Sequence, residues 1–108
     1  MYSKQDFEKI LDAILAEVKP ARIMLFGSYA TGNQTQDSDI DIIVLTQEEL
    51  SRRNKLNLLT RIEKRFLQLN YPIDLVLKSL KQFEGYKSYP GTLNYDVNRD
   101  GKILWMKS

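Results

Sequence analysis

The apolar residues of the first twenty positions recur at helical spacing. Ser3 and Asp6 have the spacing of a capping box, so we expect a helix to begin there. Pro20 ends the pattern because a proline interrupts a helix. The apolar positions between them predict one buried helix face: Phe7, Ile10, Leu11, Ile14, Leu15 and Val18.

Three short apolar runs predict strands at residues 22–26, 42–45 and 73–77. Between the last two runs, Thr46 and Glu49 have the spacing of another capping box, which predicts a helix that ends near residue 69. The predicted buried positions of this helix are Leu56, Leu59, Ile62, Phe66 and Leu69.

The last third of the chain carries shorter signals. Ser79 is a candidate cap for a short helix, and residues 85–91 are expected to be irregular. A brief helix over residues 93–98 is expected to end at Gly101, followed by a strand or docking segment at residues 102–106.

The alternation of strand and helix patterns with short connections predicts a mixed α/β (α+β) fold. We expect a small mixed sheet with helices packed on one side, formed by a single domain over residues 1–108. No apolar run approaches the roughly 20 residues that span a bilayer, and no signal-peptide pattern is present at the N-terminus. We therefore expect a cytoplasmic protein with no membrane contact.

Cysteine and histidine are absent from the chain. This excludes thiol nucleophiles, Ser-His-Asp triads and ordinary zinc sites. Carboxylate and hydroxyl oxygens remain as ligands, and they suit a hard cation such as Mg²⁺. The formal net charge of +2 is too small to argue for nucleic acid, and we do not expect direct binding to it.

The segment between the first two strand runs carries the candidate chemistry. Gly27 and Ser28 follow the first run, and they offer room for a phosphate, a hydroxyl and free backbone N–H groups. Asp39 and Asp41 open the second run and, two residues apart on a strand, share one face. Because adjacent carboxylates repel each other unless a cation lies between them, this pattern predicts a site for a metal-bound nucleoside triphosphate.

Asp74 lies within the third run. It either lies at a strand end facing water or faces Asp39 and Asp41, since an unpaired carboxylate in a central strand is costly to bury. We prefer the second interpretation because of the motif beside it. Two other motifs do not fit: an EF-hand loop over residues 37–48 would need glycine where Ile42 stands, and no Gly-Lys-Ser/Thr follows Gly27 as in a P-loop.

Gly27-Ser28, ten further residues and Asp39-Ile40-Asp41 resemble the signature of the DNA polymerase beta-like nucleotidyltransferase superfamily. The chain is most similar to its minimal nucleotidyltransferases (MNT), including the antitoxins of HEPN/MNT toxin–antitoxin pairs. The resemblance implies the polymerase-beta-like nucleotidyltransferase fold, with Asp74 as the third acid of the site. One departure is Thr31, where many relatives have arginine, so that a positive phosphate contact is either missing or supplied elsewhere.

The resemblance also implies two-metal nucleotidyl transfer. Asp39, Asp41 and Asp74 would be the catalytic and metal-binding residues for two Mg²⁺ ions, or for Mn²⁺ in their place. Gly27 and Ser28 would bind the phosphates of ATP or another nucleoside triphosphate. An acceptor hydroxyl would then attack the α-phosphorus, and pyrophosphate would leave.

Two functions remain open from the sequence, because the chain is too short to include the acceptor-binding domain of larger relatives. The first is an enzyme that transfers a nucleoside monophosphate, with AMP from ATP expected, to a partner protein. The resemblance implies a HEPN-type toxin as that partner and a tyrosine hydroxyl as the acceptor. The second is a non-catalytic antitoxin that acts by complex formation. The intact carboxylates favour the enzyme.

Overall fold

The computed structural model describes residues 2–108. Ser3 and Asp6 form the expected capping box at the first helix, and within the described part of the chain no helix is long and apolar enough to cross a membrane. The elements in chain order are α1 (Lys4–Leu15), β1 (Arg22–Phe26), α2 (Ser28–Thr31), β2 (Ile40–Thr46), α3 (Arg52–Leu67), β3 (Ile73–Ser79), α4 (Leu80–Tyr86), α5 (Leu93–Asp100) and β4 (Lys102–Met106).

The strands form one mixed sheet in the order β3-β2-β1-β4, as predicted for the three strand runs. β1 pairs antiparallel with β2 and β4, whereas β2 pairs parallel with β3. In this register, Phe26 lies opposite Asp41 and Asp41 lies beside Asp74. The C-terminal end of β1 therefore meets the N-terminal ends of β2 and β3 at one end of the sheet.

The two long helices pack on the same face of the sheet. Ile10 and Ile14 of α1 and Ile62 and Phe66 of α3 belong to the larger apolar core. Alternate strand residues point to this face, as the two-residue period of a strand requires. The buried strand residues of this core are Ile23, Leu25, Ile40, Ile42, Val44 and Leu77.

Two shorter helices cover the opposite face, which corrects the expectation that helices pack on one side only. Phe83 of α4 and Val97 of α5 form a second core with strand residues that include Met24 and Ile43. The physical reason lies in β2, where residues 42–46 are buried without interruption. A strand that is apolar on both faces has to be covered on both, and the unbroken apolar run in the sequence already indicated this.

The structure places the start of α3 later than predicted. β2 continues to Thr46, whose hydroxyl donates to the backbone oxygen of Glu48 at 2.7 Å. Ser51 caps α3 instead, and its hydroxyl accepts from the backbone N–H of Asn54 at 3.1 Å. The predicted capping box at Thr46 is wrong because Thr46 is the last residue of β2 and pairs with Ser79 of β3.

The buried face of α3 also differs in one position from the prediction. Ile62 and Phe66 are buried as expected, together with Leu58, but Leu56 is 62% exposed. Successive residues of a helix are about 100° apart around its axis, so Leu56 lies roughly 120° from Ile62. Leu59 and Leu69 are partly buried against the same core, as predicted.

The predicted cap at Ser79 is confirmed, and it positions the helix that carries Phe83. The Ser79 hydroxyl accepts from the backbone N–H of Gln82 at 3.1 Å, and the Gln82 side chain accepts from the backbone N–H of Ser79. We expect Ser79→Ala to lower the free energy of unfolding by about 1 kcal/mol, measured by urea denaturation. The matched variant Ser88→Ala, at an exposed serine between α4 and α5, should change it by less than about 0.5 kcal/mol. Equal effects would contradict this account of the cap.

Candidate active site

Strand alternation and register bring three carboxylates to one end of the sheet. Asp39 precedes β2 and Asp41 is its second residue, so both point away from the face that buries the neighbouring isoleucines. Asp74 lies beside Asp41 in the parallel pairing of β2 with β3. We call these three residues the acidic trio. Asp74 is exposed near a strand end and is also adjacent to Asp41 in the sheet.

The electrostatics of the acidic trio centre on Asp41, which is only partly exposed. Its own burial raises the pKa of the Asp41 carboxyl, and the negative charges of Asp74 and then Asp39 raise it further. Among the described residues, none of the three side chains accepts a hydrogen bond or pairs with a cation. The site therefore concentrates negative charge that no residue in the described range neutralises.

The donor set of the acidic trio fits a hard divalent cation, since carboxylate oxygens are the ligands that Mg²⁺ prefers. As the side chains stand, however, no group of three acidic residues in the described range 2–108 is arranged to hold a metal ion. Besides burial, the negative charges of Asp74 and Asp39 nevertheless raise the pKa of the Asp41 carboxyl. A cation shared by all three would require their side chains to rotate toward each other.

The turn at Gly27 and Ser28, here called the Gly-Ser turn, contacts the acidic trio directly. Gly27 has a φ of 71° and a ψ of −153°, a conformation that glycine alone adopts without strain. A Cβ at this position would lie 3.0 Å from Cγ of Asp41. Ser28 begins α2, and the first N–H groups of a helix have no acceptor within it. The Gly27 backbone therefore lies against the Asp41 carboxyl.

Three tyrosines that the sequence did not associate with the site hold α2 in place. The ring of Tyr29, next to Ser28, lies 5.9 Å from that of Tyr2, which lies 5.3 Å from that of Tyr71 in an edge-on contact. The Tyr71 hydroxyl donates to Asp6 at 2.5 Å. These contacts tie α2 to the start of α1 and to the residues before β3. No local pattern could reveal them, because the residues are far apart in the sequence.

A cavity of about 240 Å³ lies beside the Gly-Ser turn, between the end of β1 and α5. The sequence predicted α5 but did not assign it to the site. A cavity of about 300 Å³ lies beyond the other ends of β1 and β2, and none of the described residues that line it is acidic. The residues that line the cavity beside the turn are Phe26, Gly27, Thr31, Leu93, Asp96, Arg99 and Asp100.

Comparison with protein families identifies the family of this chain. The family described as Polymerase beta, Nucleotidyltransferase matches residues 8–108, a range that includes the Gly-Ser turn and the whole acidic trio. The chain belongs to the polymerase beta nucleotidyltransferase family. The predictions of that family, of its mixed α/β fold and of the nucleotidyltransferase class of enzyme are confirmed.

Relatives of this nucleotidyltransferase include a candidate protein adenylyltransferase of Methanocaldococcus jannaschii. It is 35% identical over 69 residues, which cover 64% of this chain and 67% of the relative. A chain of a toxin–antitoxin complex solved with AMP-PNP superimposes with a TM-score of 0.64 at 30% identity, covering 94% of this chain and 73% of that one. A chain of the tri-AMPylated Shewanella oneidensis HEPN toxin in complex with MNT antitoxin gives a TM-score of 0.62 at 28% identity, covering 96% and 72%.

The raised pKa of Asp41 in this nucleotidyltransferase has a consequence for stability. Ionisation of Asp41 is disfavoured in the folded state, so the folded protein loses stability as pH rises through the folded pKa of Asp41. We expect Asp41→Asn to raise the melting temperature at pH 7 and low ionic strength. The gain should shrink in acid, where Asp41 is protonated in both folded and unfolded chains. Melting curves from pH 3 to pH 7 would measure this, and a lower melting temperature for the variant at pH 7 would contradict it.

Proposed function

We propose that this nucleotidyltransferase transfers AMP from ATP to a hydroxyl of a partner protein, with a HEPN-type toxin as the partner and a tyrosine as the acceptor. The observation that carries the proposal is the direct contact of the Gly-Ser turn with Asp41, which lies beside Asp74 in the sheet. A turn that donates to phosphate and a cluster of unneutralised carboxylates are the two parts that a metal-bound nucleoside triphosphate requires.

Each residue of the site has a distinct role in this proposal. Asp39 and Asp41 would hold divalent metal together with the triphosphate, and Asp74 would complete the metal site on the side of the acceptor. Ser28 and the backbone N–H groups at the start of α2 would bind the phosphates. A bound pair of Mg²⁺ ions, or of Mn²⁺ ions in their place, would neutralise the negative charge on the entering and leaving oxygens.

The chemistry is an in-line substitution at the α-phosphorus. The acceptor oxygen forms a new bond to phosphorus, the bond to the β-phosphate oxygen breaks, and pyrophosphate leaves with its electrons. The acceptor proton passes to Asp74 or to solvent. Because burial and the charges of Asp74 and Asp39 raise the pKa of the Asp41 carboxyl, we expect the triphosphate and the metal to bind together rather than singly.

The solved toxin–antitoxin complexes support the choice of partner and nucleotide. One of the matched structures contains AMP-PNP, and another contains a HEPN toxin that carries three AMP groups. Those facts concern the relatives, and they extend to this chain as part of the proposal. The acceptor would be brought by the partner, which is consistent with a site at an exposed end of the sheet.

A second function, neutralisation of the partner by complex formation alone, is favoured by two observations. The acidic trio does not form a closed group of metal ligands among the described side chains, and Thr31 offers no positive charge to the phosphates. Under this alternative the nucleotide site would be used poorly or not at all.

Labelled ATP separates the two functions and also identifies the group transferred. The protein and its partner would be incubated with Mg²⁺ and ATP labelled at either the α- or the γ-phosphate. Nucleotidyl transfer predicts that the partner retains the α-label, does not retain the γ-label, and retains neither when EDTA is present. Label from the γ-phosphate would indicate phosphoryl transfer, and label from neither position would support complex formation alone.

A further inference from the structure

The cavity between the Gly-Ser turn and α5 contains one cationic side chain among the described residues that line it. That side chain is Arg99, in the last turn of α5. Gly27 and Thr31 form the opposite wall, so α2 and Arg99 border the same space. The cavity opens beside the Gly27 backbone that contacts Asp41. A phosphate chain that extends from the Gly-Ser turn into this space would approach Arg99.

Arg99 is restrained by three neighbours although its side chain is 57% exposed. Its Nε and Nη2 donate to Oδ2 of Asp100 at 3.0 and 2.7 Å, and Nη2 lies 3.7 Å from Asp96. Its Cζ lies 5.5 Å from the centroid of the Tyr95 ring. Nη1 makes no hydrogen bond to any residue in the range 2–108. The guanidinium is therefore oriented in advance and keeps donors available for a ligand.

Thr31 cannot supply positive charge on the other wall of the cavity. Its hydroxyl lies 3.4 Å from the backbone oxygens of Gly27 and Ser28, which it can reach as a donor within α2. The acidic trio adds three negative charges near the phosphates of the nucleotide. Much of the negative charge of ATP lies on the outer phosphates, away from the reacting α-phosphorus. Without Arg99, the described residues at the cavity would include no cationic side chain to bind those phosphates.

We propose that Arg99 binds the β- and γ-phosphates of ATP held at the Gly-Ser turn, with Asp96 and Asp100 orienting its guanidinium. A guanidinium presents several N–H groups in a planar fork, so it can donate to phosphate oxygens while it remains paired with Asp100. This inference rests on the proposed nucleotide-binding function and assigns to it a residue outside the Gly-Ser and aspartate motifs. The competing explanation is a helix-end arginine that only complements the dipole of α5.

Calorimetry with two nucleotides distinguishes these explanations. Because AMP lacks the outer phosphates, Arg99→Gln should weaken binding of Mg²⁺-ATP by about tenfold and leave binding of AMP nearly unchanged. Arg53→Gln, the same substitution at an exposed residue near the start of α3, should change neither affinity. Equal binding of Mg²⁺-ATP by Arg99→Gln and the unsubstituted protein would overturn the inference, as would an equal loss for ATP and AMP.

A new arginine at Thr31, which lines the same cavity, gives a second test. Thr31→Arg should restore much of the lost Mg²⁺-ATP affinity of Arg99→Gln, and in the unsubstituted protein it should tighten ATP binding but not AMP binding. An arginine that merely stabilised α5 could not be replaced from α2, so absence of rescue would count against the proposal. If the unsubstituted protein binds no Mg²⁺-ATP, the proposed function itself fails. If it binds ATP and Arg99→Gln binds equally well, only the role of Arg99 fails.

Discussion

Replacing Asp41 by asparagine is expected to abolish the tightening of ATP binding by Mg²⁺ and to reduce AMP transfer more than about 100-fold. Loss of a group that merely supports a metal ligand already costs about 10- to 100-fold, and Asp41 would be a ligand itself. It lies centrally in the site, beside Asp74 in the sheet and against Gly27. The amide keeps the shape of the carboxyl but removes the charge that holds the cation.

Calorimetry with Mg²⁺ and with EDTA would measure this effect, and melting curves would verify that the variant is folded. Asp39→Asn should also lose the metal effect. Asp37→Asn is the matched control, because Asp37 is an exposed acid of the same segment that lies outside the acidic trio. Ser28→Ala should weaken transfer less than Asp41→Asn, since backbone N–H groups would still bind phosphate. Tighter binding with Mg²⁺ that persists in Asp41→Asn would show that the metal is held elsewhere.

Replacing Gly27 by alanine is the second change for which we expect a large effect. Its φ and ψ lie in a region that costs about 1–3 kcal/mol for other residues, so the variant should be less stable by that order. The new methyl group would also lie within contact distance of the Asp41 carboxyl and displace it. We therefore expect Gly27→Ala to lose Mg²⁺-dependent ATP binding as well as stability.

Gly32 at the other end of α2 provides the control for backbone strain. It has a φ of 81°, but a Cβ there would have no atom of the described residues within 4 Å apart from its neighbours along the chain. Gly32→Ala should cost about 1 kcal/mol of unfolding free energy and retain Mg²⁺-dependent ATP binding. Urea denaturation and calorimetry on both variants would test this comparison. Equal loss of ATP binding by the two would mean that strain in α2, not displacement of Asp41, disrupts the site.

The sequence was most informative where the relevant residues are close together in the chain. The spacing of Asp39 and Asp41 predicted a shared face because the strand period is local, and the Ser79 cap was predicted for the same reason. Asp74 was harder to place, since its position beside Asp41 depends on the parallel pairing of two strands separated by α3. A family resemblance, rather than periodicity, suggested that Asp74 faces Asp39 and Asp41.

The features that sequence reasoning missed depend on contacts between distant segments. The tyrosine contacts around α2 join residues near positions 2, 29 and 71, and the cavity beside Gly27 is closed by α5 from the end of the chain. The capping signal at Thr46 was outweighed by strand pairing, which is a tertiary interaction. Local propensity thus predicted most elements, whereas packing decided helix starts and the full extent of the site.

The mass of the partner protein after incubation tests the central claim most directly. The protein would be mixed with its HEPN-type partner, Mg²⁺ and ATP, and the partner would be analysed by intact-mass spectrometry alongside an assay of its toxicity. We predict that the partner gains the mass of one or more AMP units and is silenced, and that Asp41→Ala abolishes both effects. If the partner is silenced without a change in mass, and Asp41→Ala silences it equally well, the protein acts by binding rather than by nucleotidyl transfer.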